Sequence, residues 1–136
     1  MALNLDIAEK ILAGARTKAR EINTPMSFAI VDAGGYLIAS VRMDGAGLLT
    51  PSVAHSKAYT AAMFRRTSAE IGKLAETRPQ FFGSIVNIGS VPLIAGGGGL
   101  PIRQGEELVG AVGASAGTPE QDIECAQAGL TLAGLA

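Results

Sequence analysis

The chain of 136 residues contains one histidine, and this residue is the strongest candidate for proton transfer or metal ligation. His55 is the only side chain whose ordinary pKa lies near neutrality. Tyr59 follows four residues later, so the two rings project from one face of a helix. The spacing predicts His55 and Tyr59 as catalytic residues, with His55 transferring a proton and Tyr59 assisting. A hydrogen-bonded histidine at a surface or subunit contact is an equally open alternative.

Charged and polar residues near this segment are candidates for ligand binding. Arg42 could clamp an anion through two parallel hydrogen bonds beside Asp44, whereas an ion pair between the two is the alternative. Lys57 could bind a carboxylate, but a salt bridge to Asp32 or Asp44 is the favoured explanation for it. Thr60 could contact the ligand, or it could bond back to its own helix backbone.

Four consecutive glycines, Gly96 to Gly99, precede a leucine and a proline. Such a run lets a ligand approach the backbone and can present amide donors in a concave nest, so Gly97, Gly98 and Gly99 are predicted to bind ligand. The sequence lacks both the phosphate-binding P-loop pattern and the helix-opening glycine pattern of dinucleotide-binding folds. A tight crossing of strands or subunits, where side chains do not fit, is the alternative.

Composition narrows the class of protein. The 11 basic and 12 acidic residues give a formal net charge of -1, so no general field attracts nucleic acid or an anionic membrane. Hydrophobic residues make up 48% and charged residues 17%, which favours a compact body with apolar surface to bury, and hence a homo-oligomer. The length fits a single domain over residues 1–136. A lone cysteine and the absence of a signal-like N-terminus predict a cytoplasmic protein without a multi-thiolate metal site.

The first half of the chain has clear periodicity. Apolar residues at three- and four-residue steps predict a helix over 5–22. Two β-rich runs, 27–31 and 36–41, flank a glycine turn and predict a β-hairpin. Asp32 is predicted to be structural, because its oxygen can accept from the amides of that turn. A threonine followed by proline predicts a helix from Thr50 towards Arg66.

The second half is glycine-rich and weakly charged. A capping box predicts a helix over 67–78, and the apolar segment 81–94 predicts one or two strands. A polar turn over 103–107 leads into a strand over 108–114, and a final helix follows over 118–135. The predicted order is α-β-β-α-α-β-β-β-α. Adjacent hairpins favour antiparallel pairing, so we expect an α+β fold with helices on a central antiparallel sheet.

Six segments resemble, in order and at fitting spacing, the GlcG/HbpS-like heme-binding protein family, which also includes the C-terminal domain of PduO-type cobalamin adenosyltransferases. Lys57 and Thr60 match the family's lysine and threonine on their helix, and Asp32 matches the aspartate of its hairpin turn. The six segments are Val31-Asp32-Ala33-Gly34-Gly35, Arg42-Met43-Asp44-Gly45-Ala46, Ala54 with Lys57-Ala58-Tyr59-Thr60-Ala61, Gly96 to Pro101, Val109 to Ser115, and Gln121-Asp122.

The resemblance implies a profilin-like fold with helices on both faces of the sheet, and assembly into dimers or rings up to octamers. It also implies heme binding and, for some members, heme degradation, while many members accompany glycolate or diol catabolism. Heme ligation in the family implicates a histidine in or near the first helix, and this chain has none there. His55 is therefore its only candidate imidazole ligand.

Two main functions follow as hypotheses. The first is a protein that binds heme or a related tetrapyrrole and that could also degrade heme. In this hypothesis heme lies between subunits, with apolar walls from Met43, Tyr59 and Phe64. Lys57 or Arg42 binds its propionates. The alternative is a metal-independent lyase, hydratase or isomerase on an organic acid, with His55 as general base and the glycine run and an arginine holding negative charge. An oligomeric accessory subunit without ligand is a third. The sequence itself requires no cofactor.

Overall fold

The chain folds around one antiparallel sheet that has helices on both faces. In the computed structural model, which describes residues 3–135, four strands and five helices make up the fold. Along the chain they are α1 (Leu5–Glu21), β1 (Ser27–Asp32), β2 (Leu37–Arg42), α2 (Thr50–Phe64), α3 (Ser68–Thr77), α4 (Pro79–Ile85), β3 (Gly99–Gln104), β4 (Glu107–Ser115) and α5 (Pro119–Leu132). The α+β class and the antiparallel sheet are confirmed.

The sheet is built from two hairpins whose strands lie in the order β2-β1-β4-β3. In the first hairpin, Asp32 Oδ1 accepts hydrogen bonds from the amides of Gly34 at 2.9 Å and Tyr36 at 3.0 Å. Gly35 adopts a φ of 85°, which suits glycine in this turn. The second hairpin joins β3 to β4 and pairs Pro101 with Ala111. The edges of the sheet are therefore β2 and β3.

Side chains alternate between the two faces of the sheet, as the pleat requires. Phe28 and Ile30 point from β1 into the larger core under α1 and α5. Val31 points to the opposite face, where it meets Ala58 and Ala61 of α2. The helices thus form two layers, with α1 and α5 on one side and α2 on the other.

Capping boxes begin two of the helices, and the one predicted for the helix over 67–78 is confirmed. Thr67 accepts from the amide of Glu70, whose side chain returns a bond to the Thr67 amide. Thr118 and Gln121 form the same box at α5. Thr50 differs, because it lies within the first turn of α2 and its hydroxyl donates to a backbone carbonyl three residues earlier.

The prediction of strands over 81–94 is wrong. Pro79 starts the short helix α4, and irregular chain then runs to the start of β3 at Gly99. Phe81 and Ile88 are exposed, so this apolar segment does not enter the sheet. The predicted polar turn 103–107 is shorter than expected, because its first two residues belong to β3.

Helix α2 lies unusually close to the sheet because glycine stands beneath it. A Cβ at Gly113 would collide with the carbonyl oxygen of Ala54 and lie 2.7 Å from the amide nitrogen of Ala58. Both contacts are backbone atoms, so a side chain could be accommodated only by moving the helix. Glycine at this position of β4 therefore sets the distance between the helix layer and the sheet.

We expect Gly113→Ala to lower the free energy of unfolding by about 1–3 kcal/mol, because the added methyl overpacks the α2–β4 contact. Urea unfolding followed by circular dichroism measures this. Gly83→Ala is the matched control, since a Cβ there meets nothing within 4 Å and alanine favours the exposed helix α4. Equal stability of Gly113→Ala and the unmodified chain would contradict the close contact.

Candidate functional site

His55 lies on α2 and is half-buried. Its Nε2 is buried and, in the described part of the chain, has no hydrogen-bond partner. Desolvation lowers the pKa of His55 from its ordinary value of 6.5. The imidazole is therefore neutral at pH 7, and a neutral imidazole has a lone pair for a proton or a metal ion.

Tyr59, one turn further along α2, is held in place by the segment that follows α4. Its ring packs over Gly35 and Gly89 at positions where a Cβ would collide with it. Its hydroxyl accepts a hydrogen bond from the amide of Ser90 at 3.2 Å. The ring is thus fixed beside His55 on the same flank of the helix.

An apolar cleft of about 300 Å³ opens at Tyr59. Its walls come from the end of α2 and from the segment after α4, and they include Met63, Phe64, Ile88 and Leu93. Ile88 is 76% exposed, so the rim is apolar and open to a partner or ligand. Tyr59 and Phe64 therefore share one wall region, as the heme hypothesis expects.

Met43, the third predicted wall residue, lies elsewhere. It packs against the core under α1 and α5, on the other side of the sheet. There it lines a larger cleft of about 510 Å³ together with Arg42 and Asp44. Among the described residues no ion pair joins Arg42 to Asp44, so the alternative that they neutralise one another is wrong.

Two residues of this second cleft were not predicted. Arg16 and Arg20 of α1 line this cleft together with Arg42. Their four-residue spacing places them on one face of α1 and is the signal that the sequence offered. Nothing in the sequence indicates that the end of β2 packs beside that face.

Lys57 forms a buried ion pair with Asp122, not with Asp32 or Asp44 as predicted. Its Nζ donates to Asp122 Oδ2 at 2.8 Å and to the carbonyl of Ala114 at 3.1 Å. Lys57 is 8% exposed and Asp122 is 2% exposed. Burial raises the pKa of Asp122, while the hydrogen bond and charge of Lys57 act in the opposite direction. Lys57 is therefore occupied inside the protein.

Thr60 is also engaged internally. Its hydroxyl donates to the carbonyl of Ser56 at 2.7 Å and accepts from the amide of Ile94 at 3.0 Å. The side chain is fully buried. The bond to its own helix, one of the two alternatives, is thus present, and the second bond ties the segment before the glycine run to α2.

The glycine run forms a tight internal crossing. Gly97, Gly98 and Gly99 are all buried. A Cβ at Gly98 would lie 2.6 Å from the carbonyl oxygen of Ala114, and one at Gly99 would collide with the carbonyl oxygen of Lys57. The packing therefore supports the alternative of close backbone approach over ligand binding.

The predicted centre that joins His55, Arg42 and the glycine run is not formed by residues 3–135. Gly98 packs against the Lys57 side chain. Lys57 lies about 160° around α2 from His55 at the helical period. The imidazole and the glycines consequently occupy different flanks of one helix. Neither of the two clefts described above is lined by both of them.

In the chain from residue 3 to residue 135, no helix combines the length and apolarity that a membrane span needs. Within that range, no three His, Cys, Asp or Glu side chains come close enough together to hold a metal ion.

Comparison with known proteins gives consistent matches over nearly the whole chain. A family model described as "Haem degrading protein HbpS-like" matches residues 3–131. An uncharacterized 15.0 kDa protein from the dhaT-dhaS intergenic region of Citrobacter freundii is 35% identical over 129 residues, which cover 94% of this chain and 89% of that protein.

Two solved structures are similar in fold and sequence. Protein ORFY of Klebsiella pneumoniae superposes with a TM-score of 0.89 at 32% identity, over 98% of this chain and 92% of that one. A PduOC:heme complex superposes with a TM-score of 0.87 at 26% identity, over 97% of this chain and 95% of that one.

Removing Lys57 should destabilise the fold strongly. We expect Lys57→Met to lower the free energy of unfolding by about 3–5 kcal/mol at pH 7, because the Asp122 carboxylate loses its partner in a buried site. The loss should shrink as the pH falls from 7 to 5. A raised pKa means that the folded state binds a proton at Asp122 more tightly than the unfolded state, so protonation stabilises the fold. Urea unfolding at both pH values measures the effect.

Two variants test the cause of that loss. Adding Asp122→Asn to Lys57→Met removes the unpaired charge, so the double variant should be more stable than Lys57→Met alone. Lys73→Met, at an exposed position of α3, should change stability by no more than about 0.5 kcal/mol. A double variant that is less stable than the single one would contradict the unpaired charge as the cause.

Proposed function

This chain belongs to the HbpS-like family, and from that membership and the geometry of α2 we propose that it binds heme or a related tetrapyrrole. The observation that carries the proposal is the unpartnered, buried Nε2 of His55. The fold is shared with a relative solved as a PduOC:heme complex, which supports the same ligand class. In this proposal His55 takes the role that the family resemblance gives to a histidine near the first helix.

Two properties of His55 suit it to act as a ligand of iron. Its lowered pKa keeps the imidazole neutral, so its lone pair does not have to displace a proton at pH 7. Ligation would also satisfy a buried polar atom that otherwise costs free energy. Heme, if bound, would supply the iron atom, and the imidazole of His55 would hold it.

The apolar cleft beside Tyr59 suits the flat face of a tetrapyrrole. Tyr59 is fixed by its bond to Ser90, so its ring offers a wall that does not have to be ordered on binding. Met63 and Phe64 extend that wall and exclude water from the ligand. The cleft of about 300 Å³ is open on its outer side, which leaves one face of the ligand uncovered.

We propose that a second copy of the chain covers this face. Large apolar side chains of this cleft are exposed, including Ile88 at 76% and Met63 at 41%. Patches of this kind favour association. A homo-oligomer with heme between its subunits therefore agrees with both the sequence hypothesis and the surface.

The enzyme alternative has less support. It requires His55, Arg42 and the glycine run at one centre, and the glycines pack instead against the opposite flank of α2. Heme degradation is the additional activity that the family description suggests. Ascorbate added in air to the heme-loaded protein tests it directly, because ring opening would abolish the Soret band.

We expect hemin to bind with a shifted Soret band and His55→Ala to weaken binding at least tenfold, about 1.4 kcal/mol, through loss of the iron–nitrogen bond. Spectroscopic titration measures both. Affinity should persist at pH 7 and at the ordinary histidine pKa of 6.5, and it should decline only in more acidic solution, because the pKa of His55 is lowered and a proton reaches the ligating nitrogen only there. This decline should be absent in the variant.

Ser52→Ala is the matched control. Ser52 is exposed and lies one turn before His55 on the same helix, so its loss should leave the hemin titration unchanged. If His55→Ala binds hemin with the same spectrum and affinity as the unmodified chain, the assignment of His55 as the ligand is wrong. If the unmodified chain leaves the spectrum as that of free hemin, the proposed function itself is wrong.

A further inference from the structure

We propose that the cleft between α1 and the end of β2 is a second binding site, separate from the heme site, and that it takes a small organic dicarboxylate. The cleft has a volume of about 510 Å³ and is lined by three arginines, Arg16, Arg20 and Arg42. Its volume lies in the range of small-molecule sites. The site does not depend on the proposed heme function, because it lies on the other face of the sheet.

The arginines are not used for internal pairing. Among the described residues, no ion pair involves Arg16, Arg20 or Arg42. Arg16 is half-buried, and its buried Nε has no hydrogen-bond partner in the described chain. An unpaired guanidinium nitrogen in such a position costs free energy that an anionic ligand would recover. The cleft is thus incomplete without an acceptor.

The charge of the cleft indicates a dianion. Three guanidinium groups face one carboxylate, that of Asp44, so the lining carries two positive charges in excess. The whole chain has a formal net charge of -1, so this local excess is not a general property of the surface. A ligand with two negative charges would neutralise it.

The shape of the lining favours a dicarboxylate over phosphate. The cations stand on two elements, Arg16 and Arg20 on α1 and Arg42 on β2, so two separated acceptors match them better than one compact anion. Each arginine presents a planar fork that fits a carboxylate. Val41 and Met43 add apolar surface, which a carbon chain can cover and a phosphate cannot.

One ordinary role accounts for part of this cluster. Arg20 stands in the last turn of α1, where a cation stabilises the negative end of the helix dipole. That role does not apply to Arg16, which is a turn earlier, or to Arg42, which is on a strand.

The two propionates of a tetrapyrrole are also a dicarboxylate. The experiment below separates them from a free dicarboxylate.

The test is calorimetric titration of the full chain with succinate at low ionic strength. We expect saturable binding, at least about tenfold weaker binding of butyrate and of phosphate, and weakening with added salt. Arg16→Gln and Arg42→Gln should each weaken succinate binding at least about tenfold, because each removes a charge-assisted contact. Arg66→Gln, at an exposed site on the other side of the sheet, should leave it unchanged.

The proposal is overturned by no saturable binding of succinate, by binding that neither cleft variant weakens, or by phosphate binding as tight as that of succinate. The last measurement is the hemin affinity of Arg42→Gln, which separates heme propionates from a free dicarboxylate. Unchanged hemin affinity supports a separate site for a free dicarboxylate. A parallel loss of hemin affinity would assign the arginines to propionates and would overturn the separate site. Circular dichroism of each variant confirms that it is folded.

Discussion

The buried ion pair between Lys57 and Asp122 is the interaction on which the arrangement of the helices depends. It joins α2, on one face of the sheet, to the first turn of α5, which packs on the other, and Lys57 also donates to the end of β4. Asp122 in turn accepts from the amide of Gly117, so the loop between β4 and α5 is fixed by the same carboxylate. The further hydrogen bonds from Lys57 to Ala114 and from Gly117 to Asp122 help to offset the cost of burying the two charges. The pair thereby sets the position of α2, and with it the position of His55.

The central sheet divides the molecule into two chemically different halves. On the α2 face, Tyr59 borders an apolar cleft, and burial lowers the pKa of His55 one turn earlier on the helix. On the α1 face, three arginines gather around a polar cleft. The sheet lies between the two regions, with the larger core under α1 and α5 on one face and the α2 cluster on the other. Each half can therefore be understood from its own residues.

Much of the fold could be predicted because its signals are local. The amphipathic period of α1, the glycine turn after Asp32 and the capping boxes at Thr67 and Thr118 each lie within a few residues. The prediction of strands over 81–94 failed because an apolar, β-branched composition does not distinguish a strand from a chain segment that packs against a helix. What decides its structure is the pair of bonds from Ser90 and Ile94 to α2, more than thirty residues away. The partner of Lys57 and the gathering of Arg16 with Arg42 were inaccessible for the same reason, since both depend on how distant elements pack.

The two edges of the sheet differ in what they offer to another chain. Pro101 stands in β3 and has no amide hydrogen, so that border lacks one of the donors that an incoming strand would need. Strand β2 contains no proline and keeps its full set of backbone donors. Strand addition is therefore favoured at β2 over β3, and pairing of two β2 edges gives a closed pair of molecules instead of an open-ended fibre.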